Sequence, residues 1–486
     1  MFCNSKYLSG EKNNAIIGLA HLTGGKMDFL QKREMILQGD MKKVILTLSL
    51  PIMLNNFIHT IYNLTDTYFV SKIPGNAVAG IQFVWPLIFL IMSFGMGMAV
   101  ATSSIIAQYI GAHMQEKAKQ TAGQAILLML GLSIVSGIVG FFFAPMIIKA
   151  MGATGELYDN SYAYLSIMFL GMPATFMLNA YNAIKQGQGD TISPLIIGAL
   201  SVGANIILDP IFIFVLNMGV QGAAIATVIA TGIFAVYGIL TTFSSKQSLQ
   251  LTIKDLKYNK EILSKIIGIG FPSSAGQATT AFGFTILNVF LVSFGDITLT
   301  AFAVGNRISS LIMMPAMGIG SALATIVGQN LGADNVSRAK LAVRNSTYLS
   351  TAFLVIGGLI MLPFSKQIVS AFSNDTEVIA SGTNYLKMII YSIPLMGFFQ
   401  ILVGTFQGSG HTVSAMILMM GRLWGLRIPM VFALSHLEGF GPDSIWWAMI
   451  ISNLITCLIG LGIYSTGRWQ HKIIKQKKSL VDEFGV

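Results

Sequence analysis

The chain has 486 residues, of which 53% are hydrophobic and only 10% charged, with a mean hydropathy of +0.69. A soluble protein carries roughly 25% charged residues, so a soluble globular domain is excluded and a polytopic membrane protein is expected. The net charge of +10 would point to nucleic acid in a soluble chain; here its distribution reports orientation, and no nucleic-acid partner is expected.

Residues 1–40 are mixed and polar, with AIIGLA as an apolar core too short and poorly flanked for a signal peptide. A disordered N-terminal cytoplasmic extension is the expectation. Met27 opens a more ordinary start, MDFLQKREMILQGDMKK. Apolar runs of about 20 residues or more then fall near 44–70, 79–106, 121–148, 160–183, 192–216 and 219–243. A second set follows near 265–294, 299–328, 346–372, 383–406, 413–436 and 445–466. The pattern predicts an all-α membrane protein of twelve transmembrane helices. Residues 41–243 form an N-lobe, 244–264 a cytoplasmic linker, 265–466 a C-lobe and 467–486 a basic cytoplasmic tail. Cys3 and Cys457 make neither a disulfide framework nor a metal site.

Lysine and arginine fix the orientation. The segment before span one, the even-numbered connections and the tail hold 23 of the 30 basic residues. The odd-numbered connections hold only Lys72, Lys149, Lys366 and Lys387. Both termini are therefore expected in the cytoplasm of a cell-membrane protein. Contact with anionic lipid accounts for the basic clusters.

The halves are related by a constant offset of 221, which pairs Pro51 with Pro272, Gln108 with Gln329, and Gly111-Ala112 with Gly332-Ala333. It also pairs Tyr164-Leu165 with Tyr385-Leu386, Gln186-Gly187 with Gln407-Gly408, and Gly189 with Gly410. Duplication of a six-helix unit follows. Six is even, so the two bundles enter the membrane in the same direction, about an axis along its normal. A cleft between them would hold a transported substrate.

Within the spans only Asp66, in NLTDTYFV, and Asp209, in NIILDPIFIF, carry carboxylates. Asp296, Asp375, Glu377, Glu438 and Asp443 fall at or beyond span ends. Asp66 lies roughly 6 Å and Asp209 roughly 10 Å below the outer ends of their spans at 1.5 Å per residue. Asn205 is one turn from Asp209, and Thr227 is at similar depth on span six. Asp66, Asn205, Asp209 and Thr227 could meet in the outer half of the first lobe. Asn56, His59, Asn63 and Asp66 recur at helical spacing, a polar stripe that cannot face lipid. Two carboxylates in one low-dielectric pocket do not both ionise easily. Such a pair can carry a proton, or hold Na+ with the Asn and Thr oxygens; the alternative is a hydrogen-bond network that only fixes helix packing. His59 could relay protons or merely donate a hydrogen bond. Arg307, Arg422 and Arg427 cannot shed their charge, so gating or structural roles suit them. The phosphate-loop, zinc-helix and nucleophile-elbow motifs are missing, so neither ATPase nor intramembrane hydrolase machinery is visible.

Over about residues 38–466 the chain resembles the MATE family of multidrug and toxic-compound exporters. The resemblance rests on PIMLNNFIHTIYNLTDTYFVSKIPGNAVAGI, GMGMAVATSSIIAQYIGAHMQEKAK, its partner GIGSALATIVGQNLGADNVSRAK, and QGQGDTISPLIIGALSVGANIILDPIFIF. It implies two six-helix bundles in a V and antiport of amphipathic organic cations against H+ or Na+, with no other cofactor. It further implies that Asp66, Asn205, Asp209 and Thr227 form a cation-responsive site and that span one bends near Pro51. Other branches carry an acid in span seven; here Gln277, Thr279 and Thr280 occupy that face, so no cation site is expected in the C-lobe. Gln277 and Thr280 join Asn56, His59 and Asn63 as a candidate polar pathway. The expected working unit is a monomer in the bilayer. The rival readings are a flippase for a lipid-linked precursor, which would want basic residues in the cavity, a non-transporting receptor or scaffold, and, more weakly, a facilitator-type twelve-helix transporter, whose G-x-x-x-D-[RK]-x-G-[RK] loop GAHMQEKAK lacks.

Overall fold

The structure is a computed structural model describing residues 28–73, 75, 77–244, 249–437 and 441–474. Glu438 and the segment before Asp28 lie outside the described residues. Every regular element among them is helical. A short α1 (Phe29–Gln38) precedes α2 (Met41–Val70), α3 (Ala77–Gly111), α4 (Gln115–Ala150), the bent pair α5 (Gly155–Leu170) and α6 (Met172–Gly187), α7 (Ile192–Pro210) and α8 (Gly219–Ser244). The second half repeats this as α9 (Lys260–Ser293), α10 (Asp296–Gly332), α11 (Val336–Met361) with the short α12 (Ser365–Ser370), α13 (Thr376–Gly408), α14 (Thr412–Met420), α15 (Ile428–Ser435) and α16 (Asp443–Ser465).

Ten of these helical segments are long and apolar enough to cross a membrane, and the α5–α6 pair, bent by 49°, makes eleven. The remaining expected span, the ninth, near 346–372, falls on α11 and α12; α11 alone falls short because Arg344 and the polar Asn345, Ser346 and Thr347 open its apolar run. The chain is a multi-pass membrane protein.

Packing follows the duplication. Helix α2 lies on α7 of its own half and crosses to α10; α9 lies on α14 of its own half and crosses to α3. The turns match as well. His113 and Asp334, 221 residues apart, both have φ of 58°, and Gly189 and Gly410 have φ of 77° and 81°.

Where the basic residues gather, the halves seal along a pseudo-symmetric seam. Gln108 Nε2 donates to the Ser409 carbonyl at 3.1 Å, and Gln329 Nε2 donates to the Gly187 carbonyl at 3.1 Å. Ser104 Oγ donates to the Gly408 carbonyl at 2.9 Å, and Thr325 Oγ1 to the Gln186 carbonyl at 3.0 Å. Glycine permits this approach. A Cβ on Gly111 would lie 2.0 Å from the Gln329 carbonyl oxygen, and one on Gly332 would lie 2.0 Å from that of Gln108.

The expected disorder up to residue 40 is corrected for its last part: residues 29–38 form a docked helix. Asp28 and Gln31 close a capping box at its start. Arg33 reaches the carbonyls of Ile110 at 2.8 Å and Gly111 at 2.7 Å, satisfying the open end of α3. Arg338 in turn donates to the Ile36 carbonyl at 3.1 Å and to that of Gly39. Lys32 pairs with Asp190 at 3.2 Å. Burial pushes the Asp190 carboxyl up, but Lys32 and the bonds from Ser193 outweigh it and leave it below its ordinary value. From the other terminus, the Ile473 N–H donates to Gln108 Oε1 at 3.0 Å.

Candidate functional site

The site begins with a local fault in α7. Pro210 has no N–H to offer the carbonyl one turn back, so the ordinary helical ladder breaks after Asp209. The chain continues as a wide turn over Ile211–Val215, in which the Leu216 N–H reaches the Ile211 carbonyl at 2.9 Å. Such wide turns are frequent at functional sites. Asn205 and Asp209, one turn apart, share the buried face, 3% and 0% exposed.

Asn205 Nδ2 donates to Asp209 Oδ1 at 3.1 Å and to Thr227 Oγ1 on α8 at 3.3 Å. The Tyr62 hydroxyl, from α2, bonds the same Thr227 Oγ1 at 3.1 Å. Asp66 follows Tyr62 by one turn, and its charge is within electrostatic reach of Asp209, Tyr62 and Tyr164. The structure thus gathers Asp66, Asn205, Asp209 and Thr227 and adds two tyrosines. Asp66 Oδ1, Asp209 Oδ2 and Asn205 Oδ1 are buried without a hydrogen-bond partner. Beside Asp66 a crevice of about 10 Å³ is lined also by Thr67, Val78 and Gln82, room for about one water.

Unpartnered acceptors of this kind fit a bound proton or a hard cation that prefers oxygen ligands. No group of three His, Cys, Asp or Glu gathers among the described residues, so transition-metal ligation has no basis there.

Helix α2 is tightly packed along its first part only. Its buried residues run from Met41 to Ile52, including Pro51, and resume only at Val70. Between them Leu54, Phe57, Ile61 and Leu64 form an exposed apolar stripe, suited to lipid. Asn56, His59, Asn63 and Asp66 lie on the opposite face; His59 and Asn63 are exposed and the other two half-buried. With lipid on the apolar face, the polar face looks into the protein or a wet cleft. Pro51 sits where the tightly packed portion gives way, inside a helix that continues to Val70.

The second half has no equivalent acid pair. At the constant offset, Asp66 and Asp209 correspond to Leu287 and Met430, and Thr227 to Ala448; Leu287 and Ala448 are fully buried. Gln277 and Thr280 are half-buried, and Thr280 Oγ1 donates to the Gly276 carbonyl of its own helix at 2.8 Å. The structure does not bring them to the Asp209 cluster. Arg307 is exposed. Arg427, 2% exposed, ends a wide turn over Gly421–Arg427 and donates to Ser452 Oγ at 3.1 Å and Asn453 Oδ1 at 2.8 Å. Arg422 lies 4.2 Å from the Phe399 ring centre, a cation–π contact. Tyr385, the repeat partner of Tyr164, is in reach of Arg427. The tyrosine is kept in both halves while its charged neighbour changes sign.

Tyr62 and Tyr164 are the functional candidates that sequence reasoning missed. Signals existed: Tyr62 lies one turn from Asp66, and Tyr164 belongs to the repeat-paired Tyr-Leu.

The MatE family model matches residues 51–211 and 272–433, one copy in each half. The chain is 28% identical over 427 residues to the probable multidrug resistance protein YoeA of Bacillus subtilis (strain 168), across 85% of this chain and 91% of that one. It is 24% identical over 441 residues to the multidrug export protein MepA of Staphylococcus haemolyticus (strain JCSC1435), across 90% and 96% of the two chains. It is also similar to a solved multidrug resistance MATE family transporter of the MOP superfamily in its outward-facing conformation. There the TM-score is 0.85 and the identity 26%, over 89% of this chain and 97% of that one. With both halves matched and the fold shared along nearly the whole length, the chain belongs to the MatE family, whose members are transporters rather than enzymes.

Proposed function

We propose that the protein is a secondary active exporter of amphipathic, mostly cationic organic compounds, driven by antiport of H+ or Na+ through the first half. The observation that carries this reading is the trio of buried, partnerless oxygens on Asp66, Asp209 and Asn205. Left charged and unpaired, such a group would be costly, so the cluster favours a proton or a small cation. The relatives named for multidrug resistance and export support the substrate class.

Coupling follows from the loosely packed half of α2. An incoming cation draws Asp66 towards Asn205 and Asp209, where Tyr62 already bonds Thr227, and the tight packing that ends near Pro51 lets the rest of the helix move. Substrate and cation then prefer different positions of α2, which antiport requires. With the basic end taken as cytoplasmic, the sealed seam closes the inner side and substrate leaves outward. The cluster lies within one chain, so a monomer suffices.

A lipid-linked precursor as cargo is less well supported. Its phosphates would want several accessible cations, whereas Arg422 and Arg427 are buried against neutral groups and only Arg307 of the three is exposed. The testing experiment is ethidium efflux from transporter-deficient cells expressing the protein, with a pH gradient or a Na+ gradient imposed in turn. One gradient is expected to drive efflux, which names the ion. Efflux unaffected by either gradient overturns the antiport reading.

A further inference from the structure

The duplication breaks in one place. In the first half, the linker after α8 lies over the basic end of α4. Gln124 Nε2 donates to the Lys257 carbonyl at 2.8 Å, and the Asn259 N–H donates to Gln124 Oε1 at 3.0 Å. The Asp255 carbonyl fills the space over Gly123, 2.1 Å from where a Cβ would stand. The Leu251 N–H bonds the Thr242 carbonyl at 2.9 Å, and Leu249 and Leu251 are 1% and 2% exposed. Linker leucines and backbone thus cover the groove between α4 and α8.

The equivalent place in the second half is an open groove of about 630 Å³ between α11, α13 and α16. The described chain beyond α16 does not cover it: Trp469 stacks on Tyr464 at 4.9 Å and the backbone turns away to Gln108. Arg344 stands where the first half has Gly123, and Lys340 lies one turn before it on the same face. Both are exposed, and neither has a carboxylate partner among the described residues. Leu341, Phe398 and Leu402 make an apolar wall, and Ser337 adds a hydroxyl at the basic end. The apolar surface runs on along the membrane through Tyr348 and Leu461, 65% and 48% exposed, to Leu458.

We propose that this groove is a binding site for one anionic phospholipid, whose phosphate sits between Lys340 and Arg344 and whose acyl chain lies against Leu341, Phe398 and Leu461. The charge lies at the membrane-surface end and the apolar wall continues into the bilayer, the polarity of a phospholipid. A peptide would bring backbone N–H and C=O groups for which the apolar wall has no partners. The lipid fills in the second half the place that the linker fills in the first, and it neutralises two unpaired cations.

The test is native mass spectrometry of the delipidated full-length protein, titrated with phosphatidylglycerol or phosphatidylcholine. Wild type should take up one phosphatidylglycerol at concentrations where phosphatidylcholine stays unbound. The double variant Lys340→Gln/Arg344→Gln, altered only at exposed positions, should lower that occupancy about tenfold. The double variant Lys42→Gln/Lys43→Gln, with the same charge loss at the same end, should leave it unchanged. Equal uptake by the Lys340/Arg344 variant, or equal uptake of the two lipids, overturns the proposal. So does uptake that appears only when the chain is ended at Ile474, because the C-terminal residues would then be the occupant.

Discussion

Asp209→Asn is expected to stop gradient-driven export while leaving the fold intact. The substitution keeps the shape and an oxygen to accept the 3.1 Å bond from Asn205, so stability should change by no more than about 1 kcal/mol. What it removes is the capacity to bind and release a proton or to pair with Na+. Its partnerless Oδ2 is the atom on which that capacity rests. At matched membrane expression, efflux driven by the coupling ion should fall to about a tenth of wild type or less. Asp66→Asn should act in the same direction, because its own Oδ1 is also unpartnered and its charge reaches Asp209. A purely structural pair would give the reverse pattern, with melting temperature lowered and export kept.

The second large effect is expected at the seam. Gly111→Val and Gly332→Val each drive a side chain into a carbonyl oxygen 2.0 Å from the Cβ position. Backbone, unlike a flexible side chain, cannot swing away. Overpacking of this kind costs roughly 1–3 kcal/mol. Here it falls only on the arrangement with the basic end closed, a population shift of about tenfold or more. Ser104 is 3% exposed within that seam, so Ser104→Cys reports its opening. Thiol labelling from the basic side should speed up about tenfold in a Gly332→Val background, and export should fall with it. An unchanged labelling rate would mean that the seam does not open during transport.

Scarcity made much of this legible in the sequence. Asp66 and Asp209 stood out because charge is rare in apolar spans, and helical spacing then tied Asn205 to Asp209. The seam residues appeared as repeat pairs, Gln108 with Gln329 and Gly111 with Gly332, but only as evidence of duplication. That they touch across the halves depends on packing that offset alone does not encode. Helix α1 was hidden because its own pattern is weak; Arg33 and Arg338 hold it through backbone carbonyls distant in sequence. Tyr62 and Tyr164 were hidden because a tyrosine in an apolar span carries no charge to mark it, and only the hydrogen bond to Thr227 and the nearness to two carboxylates single them out. The groove by Lys340 and Arg344 needs three helices and the contrast with the linker side, so no single stretch could announce it.

In the proposed mechanism one cluster in the first half holds the coupling ion and gives it up to substrate. Ion release on addition of ethidium to the purified protein tests it most directly, measured as protons in a weakly buffered solution or as displaced radioactive Na+. Wild type should release one of the two ions, and the double variant Asp66→Asn/Asp209→Asn should release neither while still binding the dye. Release of the same size from that double variant would mean that the ion is held elsewhere in the chain and that Asp66 and Asp209 do not carry it.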